Sequence, residues 1–176
     1  MAVEIVYATH STTTDNEAGI ATGWNPGTLS PRGREQAARL GERYRDEPLA
    51  AVYVSDLARA VETARIAFEG RAIPVHQDVR LRECNYGDQN GTAIAQWERI
   101  THVETPFPNG ESYREVVVRV RAFLDDLAAN HDGQRVLLIA HAAPRFALDH
   151  VLLGIPLPDT VASDAPWRPG WEYRLP

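Results

Sequence analysis

Val3-Glu4-Ile5-Val6-Tyr7-Ala8-Thr9-His10 is an apolar run that ends on a histidine. A short, nearly continuous apolar stretch of this kind reads as a buried strand of a parallel sheet. The same pattern returns near the other end of the chain as Val136-Leu137-Leu138-Ile139-Ala140-His141. In an open α/β sheet the carboxyl ends of the strands border the ligand crevice, so the two imidazoles are expected at one mouth. Arg59, in Ser55-Asp56-Leu57-Ala58-Arg59, points to the same place. Two imidazoles and a guanidinium around a crevice suit an anion, with phosphate foremost.

Between these strands the signals alternate. A polar, glycine-containing loop runs from Ser11 to Leu29. Ser30-Pro31 then reads as an N-cap followed by proline at the first helical position, opening a helix to about Tyr44. Ala51-Val52-Tyr53-Val54 is a short strand. Asp56 is placed to cap the next helix, whose Leu57, Val61, Ala64 and Phe68 recur at four-three-four spacing. Ile73-Pro74-Val75 is a weak edge strand, because proline argues against a central place. Residues Asp78 to Thr105 are the least regular, with a short helix expected around Ala93 to Ile100, and the segment 78–110 reads as an insertion or lid over the crevice. Ser112 and Glu115 have capping-box spacing ahead of a long helix with an inner stripe of Val117, Val120, Leu124 and Leu127. A helix started by Pro144 follows His141, and Trp171 to Leu175 form a last strand. Residues 1–176 read as a single domain, an α/β fold with a mostly parallel central sheet covered on both faces, a three-layer α/β/α sandwich.

The 176 residues carry a formal net charge of −6. That sign argues against nucleic acid or an anionic membrane as partner, while allowing a local basic pocket. One cysteine, Cys84, excludes an internal disulfide framework and fits a reducing, cytoplasmic setting. The first residues lack the basic and apolar regions of a signal peptide, and no apolar stretch approaches the roughly 20 residues that span a bilayer.

The hydroxyl-rich loop Ser11-Thr12-Thr13-Thr14 after His10 suits phosphate oxygens, and equally reads as a solvated polar loop. His141 is followed by the small residues Ala142 and Ala143, which let a ligand approach a helix N-terminus, a natural anion site. It reads equally as a hydrogen-bonded histidine closing a strand. Arg59 in a first helical turn opposes the helix dipole, so it serves another purpose or pairs with Glu62 or Asp56. Glu83, in Leu81-Arg82-Glu83, is the candidate proton donor; a loop glutamate is ordinarily solvated. Cys84 reads as a small buried hydrophobe. His76, His102, His131 and His150 are assigned no chemistry. Trp97, Trp167 and Trp171 are expected to shape the pocket.

These segments, in this order, resemble the histidine phosphatase superfamily, with its phosphoglycerate-mutase-like fold. The family's Arg-His-Gly-Glu-Thr-x-x-Asn signature corresponds to Thr9-His10-Ser11-Thr12-Thr13-Thr14-Asp15-Asn16. Ser55 to Ala64 resembles the segment with the family's second phosphate arginine. Leu81 to Asp88 resembles the proton-donor region, and Pro108 to Ser112 the turn before the penultimate long helix. The resemblance implies His10 as nucleophile, Arg59 and a protonated His141 as phosphate pocket, Glu83 as acid and base, and Asn16 and Thr13 as supports. Thr9, Ser11 and Ala142 would also border the substrate, with neither metal nor other cofactor.

The resemblance thus implies a metal-independent phosphatase acting on a small phosphate ester through a phosphohistidine. A mutase is less favoured in so short a chain, and a homodimer is compatible with the sequence. One departure stands out: the arginine before the nucleophile is Thr9, and the glycine after it is Ser11. Arg145 and Arg32 are the candidates to replace the lost charge. The alternatives are a member that binds phosphate ligands without turning them over, and a metal site built from His10, His141 and Glu83.

Overall fold

Every residue from Val136 to Ala140 is fully buried, and their side chains alternate between two separate cores. Val136, Leu138 and Ala140 enter one core, Leu137 and Ile139 the other. The opening strand does the same, with Val3, Ile5 and Tyr7 on one side and Val6 and Ala8 on the other. Successive strand residues point to opposite faces, so a run apolar at every position needs a cover on both sides.

The computed structural model describes residues 1–94, 98–163 and 168–176. In chain order the elements are β1 (Val3–Thr9), the single turn α1 (Thr14–Glu17), β2 (Ile20–Ala21), α2 (Pro31–Arg43), β3 (Ala51–Val54), α3 (Ala58–Phe68) and β4 (Val75–Gln77). They continue with β5 (Thr92–Ala93), α4 (Tyr113–Asn130), β6 (Arg135–Ala140), α5 (Ala142–Leu153), α6 (Leu157–Ala162) and β7 (Trp171–Leu175). The main sheet has the order β4-β3-β6-β1-β7. Its first four strands are parallel, and β7 closes the edge antiparallel to β1. Helices α2 and α3 supply the smaller core, and α4, α5 and α6 the larger. The fold is therefore the α/β sandwich expected from the alternation, with β1 and β6 adjacent and their carboxyl ends together.

Local signals explain most boundaries. Ser30 accepts from the Gly33 amide to cap α2 behind Pro31. Ser112 and Glu115 form the capping box that opens α4, and Val117, Val120, Leu124 and Leu127 are buried as their spacing requires. Gly154 ends α5 with a left-handed φ of 70°. The edge strand β4 begins only after Pro74.

Four expectations are corrected. Asp56 does not cap α3: Leu57 occupies the cap without a side-chain bond, and both Asp56 oxygens are taken by Arg82 at 2.7 Å. A charged bidentate partner outcompetes a neutral backbone amide for the same carboxylate. Helix α5 starts at Ala142 with His141 as its N-cap, two residues before Pro144. Around 93–100, Thr92–Ala93 pairs with Ile20–Ala21 and Arg99–His102 forms a 3-10 turn, while residues 95–97, with Trp97, lie outside the described residues, as does Trp167. Trp171 sits in β7, edge-on to Tyr7 and beneath Arg145, away from the crevice.

Helices α2 and α3 meet at Gly41, where a Cβ would lie 2.2 Å from the Ala67 carbonyl oxygen. Helix propensity alone favours Gly41→Ala by about 1 kcal/mol. Overpacking costs about 1–3 kcal/mol and acts against it. Gly41→Ala is expected to destabilise in urea denaturation; a raised midpoint would show that the helices part freely.

Candidate active site

His10 lies just beyond β1, where its amide bonds the Ala140 carbonyl and continues the β1–β6 ladder by one residue. His141 stands beyond β6, and the two rings are 5.0 Å apart between centroids. The pairing of parallel strands thus brings together imidazoles 131 residues apart in sequence.

His10 Nδ1 donates to the Ser11 carbonyl oxygen at 2.8 Å, which leaves the lone pair on Nε2. Toward that lone pair points Arg59 Nε, at 3.3 Å. The rest of the Arg59 guanidinium bonds the carbonyls of Gly23 at 2.8 Å and Asn25 at 3.4 Å. Arg59 is only 2% exposed and has no salt bridge to a carboxylate among the described residues. Burial pushes its pKa down for want of a counter-ion. Burial, then the charge of Arg59, push the His10 pKa down to about 3, so the ring is a neutral base at physiological pH.

His141 is wholly buried. Its amide donates to Tyr7 Oη at 3.0 Å, and Tyr7 Oη–H returns a bond to the His141 carbonyl at 2.5 Å. Its Nε2 lies 2.8 Å from Ser55 Oγ, which also accepts from the Leu57 amide. In the tautomer in which the Ser55 hydroxyl donates to Nε2, the ring proton sits on Nδ1, a buried atom without a partner among the described residues. The expectation of a protonated His141 is corrected for the ligand-free protein: burial first, then Arg59 and His10, hold its pKa well below the usual value. A neutral ring still offers the Nδ1–H as a donor.

Glu83 is no solvated loop glutamate. Its Oε1 accepts from the amides of Cys84 at 2.9 Å and Ala143 at 3.0 Å, and Oε2 from Ala142 at 3.3 Å. The carboxyl group thus sits on the N-terminus of α5, where the dipole and free amides favour an anion. The Glu83 carbonyl is pinned by Trp24 Nε1 at 2.7 Å and Arg119 Nη2 at 3.0 Å.

One cavity of about 330 Å³ is lined by Thr9, His10, Asn16, Arg59, Glu83 and Ala142, with Tyr86, Ile94 and Arg99. Three predicted residues are not in its lining: His141, wholly buried beside the His10 ring, Thr13 and Ser11. Thr13 is fully buried, where its hydroxyl caps α1 in a reciprocal pair with Asn16. Ser11 is buried too, and its amide donates to Thr63 Oγ1. Both support the loop behind His10. Arg145 does not replace the missing arginine, since it pairs with Asp149 at 2.7 Å and stacks on Phe146 and Trp171. Arg32 lines a neighbouring cleft. Among the described residues, no three His, Cys, Asp or Glu side chains converge as metal ligands.

Sequence reading missed Ser55, Tyr7 and Arg99. Ser55 was signalled by its place directly after a strand within the best-kept motif. Tyr7 carries no local signal, because its partner His141 comes from a distant segment.

The model of the histidine phosphatase superfamily (branch 1) matches residues 5–163. The chain belongs to this family. It is similar to the adenosylcobalamin/alpha-ribazole phosphatase of Salmonella typhimurium, 32% identical over 159 residues, which are 84% of this chain and 78% of that protein. It is similar also to phosphoserine phosphatase 1 of Hydrogenobacter thermophilus, 28% identical over 166 residues, 88% of this chain and 78% of the relative. Among solved structures, Bacillus stearothermophilus YhfR superposes with a TM-score of 0.86 at 29% identity, covering 95% of this chain and 88% of that one.

Two predictions follow from the charges of this histidine phosphatase site. An ordinary imidazole titrates near pH 6.5, but the lowered values of His10 and His141 keep both rings neutral well below that. Nitrogen-15 NMR of the ligand-free protein is expected to show both rings uncharged at pH 5; a midpoint near 6.5 for either would refute the electrostatic account. The unfolded chain then binds protons that the folded chain does not, so stability falls as pH drops below about 6.5. Arg59→Met removes an unpaired buried charge at similar volume. It is expected to leave thermal stability equal or higher, as for other buried ions replaced by apolar side chains, while abolishing stabilisation by added phosphate or vanadate.

Proposed function

We propose that this chain is a metal-independent phosphomonoesterase that hydrolyses a small phosphate ester through a phosphohistidine on His10. The observation that carries the reading is the pairing of the Arg59 Nε–H with the His10 Nε2 lone pair. A buried cation borrows a neutral base as acceptor, and a phosphoryl group entering the cavity supplies both partners at once. Its oxygens take the guanidinium bonds, and Nε2 is released to face phosphorus.

In the first half-reaction Nε2 attacks phosphorus, the ester P–O bond breaks, and the departing oxygen takes a proton from the Glu83 carboxyl. Oε2, with a single contact at 3.3 Å, is the oxygen free to carry that proton. In the second half, water attacks the phosphohistidine, Glu83 accepts the water proton, and the P–N electron pair returns to Nε2. General acid–base assistance of this kind is worth roughly 10²–10⁴-fold. Splitting one displacement into two gives each step a better leaving group than direct attack by water. Arg59 and the His141 Nδ1–H stabilise the equatorial oxygens, where most of phosphoryl-transfer catalysis arises. Arg99, in the wall of the same cavity, supplies the positive charge that Thr9 withholds. The segment 78–110, which contributes Glu83, Tyr86, Ile94 and Arg99, acts as the cover of the site.

The relatives named above are a phosphoserine and an alpha-ribazole phosphatase. Their names support a small soluble ester as substrate class.

Wild-type protein is expected to hydrolyse an aryl phosphate in the presence of chelator and to carry acid-labile phosphate on His10 after rapid quench. His10→Ala should abolish both, and Glu83→Gln should slow turnover by about 10²–10⁴. Full activity in His10→Ala would sink the mechanism. Phosphate binding without any turnover would establish the binding-only alternative.

A further inference from the structure

The chain contains no lysine, so all 18 side-chain cations are arginines. Of the sixteen outside the catalytic cavity, eight find a carboxylate among the described residues: Arg34, Arg65, Arg80, Arg82, Arg114, Arg119, Arg135 and Arg145. Four that make no salt bridge among the described residues gather around one space. Arg32, Arg39, Arg43 and Arg168 line a cleft of about 840 Å³ in which Glu35 is the sole carboxylate among the described lining residues.

Positions 32, 39 and 43 share one face of α2 with Gln36, as the helical repeat requires. The Gln36 Oε1 accepts from the Thr12 amide at 2.9 Å, which ties this face to the loop behind the nucleophile. Thr9, His10 and Thr12 line both the cleft and the catalytic cavity. At about 1.5 Å rise per residue, Arg39 lies about 5 Å and Arg43 about 11 Å along the axis from the Gln36 tether. In a protein of net charge −6, leaving these charges uncompensated beside the nucleophile sets up a local attraction for anions.

We infer that the cleft receives a second anionic group of the substrate, so that the preferred esters carry the scissile phosphoryl at one end and a carboxylate or phosphate at the other. This rests on the phosphatase reading above. With the phosphoryl group on His10 and Arg59, the ester oxygen lies opposite Nε2. The alcohol part leaves the cavity over the shared wall at Thr12, and its charged end meets the arginine row. The cleft exceeds the catalytic cavity in volume, so it accepts a chain or a sugar between the two charges. Thr9 belongs to the same design: it is uncharged, so the field beside the nucleophile is set by Arg59 on one side of the wall and by the α2 row on the other.

The test compares straight-chain alkyl monophosphates ending in hydroxyl, carboxylate or phosphate, over several chain lengths, on wild type and on Arg39→Gln/Arg43→Gln. Glutamine keeps helix propensity close to that of arginine, and both positions are exposed. A charged tail is expected to raise kcat/KM about tenfold over the hydroxyl tail, mostly through KM. The advantage should peak at one chain length, shrink as salt screens it, and vanish in the double variant, while hydroxyl-tailed esters react as in wild type. No gain from the charged tail, or a gain that survives in the double variant, overturns the inference. Pyrophosphate that alters turnover without competing with the charged-tailed ester makes the cleft an effector site and overturns it as well. If wild type hydrolyses none of these esters and His10 stays unphosphorylated, the phosphatase reading itself has failed. Calorimetric titration of the bisphosphate into both proteins then still reads the cleft, with equal affinity counting against it.

Discussion

Among the described residues no carboxylate bonds the buried guanidinium of Arg59, and the rest of the site is arranged around that fact. A cation taken out of water costs several kcal/mol unless a counter-charge meets it. Among the described residues two carbonyls and a neutral imidazole bond it, and the charges of Glu83 and Asp15 act on it only at a distance. One of those carbonyls belongs to Gly23, which has a φ of 56° and would place a Cβ 1.8 Å from Asn90 Oδ1. Only glycine lets the loop present its oxygen to Arg59 at that approach. Two cores, one on each face of the sheet, sustain this locally unfavourable arrangement. On the proposed phosphatase reading, an oxyanion that binds here returns that free energy.

Strand ends were legible in the sequence because burial on two faces leaves runs that no other element tolerates. Val136 to Ala140 could be placed, and with them the two histidines, from composition alone. Helix starts were legible where the capping partner lies within three residues, as for Ser30 with Gly33 and Ser112 with Glu115. They were misread where a distant residue competes. Asp56 had the right place for a cap but lost its carboxylate to Arg82, 26 residues away. Arg145, one turn past His141, faced Asp149 and an aromatic pair instead of the crevice. The threonine-rich loop divides for the same reason. Thr9 and Thr12 border the cavity while Thr13 turns inward to hold α1, and nothing in the run of hydroxyls distinguishes them.

Two predicted functional groups meet at one helix end. His141 is the N-cap of α5, and Glu83 is bound by the next two amides. The same dipole that holds the Glu83 carboxyl in place disfavours a second positive charge on His141, which burial and Arg59 already hold neutral. On the proposed mechanism, a phosphoryl group changes the balance at His141, since its negative charge favours the charged ring. On that mechanism, binding lets His141 strengthen as a donor. Ser55 orients the ring throughout, since its hydroxyl can donate to Nε2 of the neutral ring and accept from Nε2–H of the charged one.

Thr9 changes what that arrangement can recognise. An arginine at this position would put its charge within the catalytic cavity, against every phosphoryl group alike. Threonine leaves the wall between the cavity and the α2 cleft short and neutral. The remaining cations, Arg59 and Arg99 on one side and Arg32, Arg39 and Arg43 on the other, are then separated in space. On the proposed reading, a lone phosphate engages only the first set. Charge moved from the reacting centre to a surface row contributes little to the chemical step, because exposed pairs are screened and weak. On the inference drawn above, it contributes to which ester stays bound long enough to react. Loss of the adjacent arginine is thus consistent with a trade of general phosphate affinity for discrimination by the far end of the substrate.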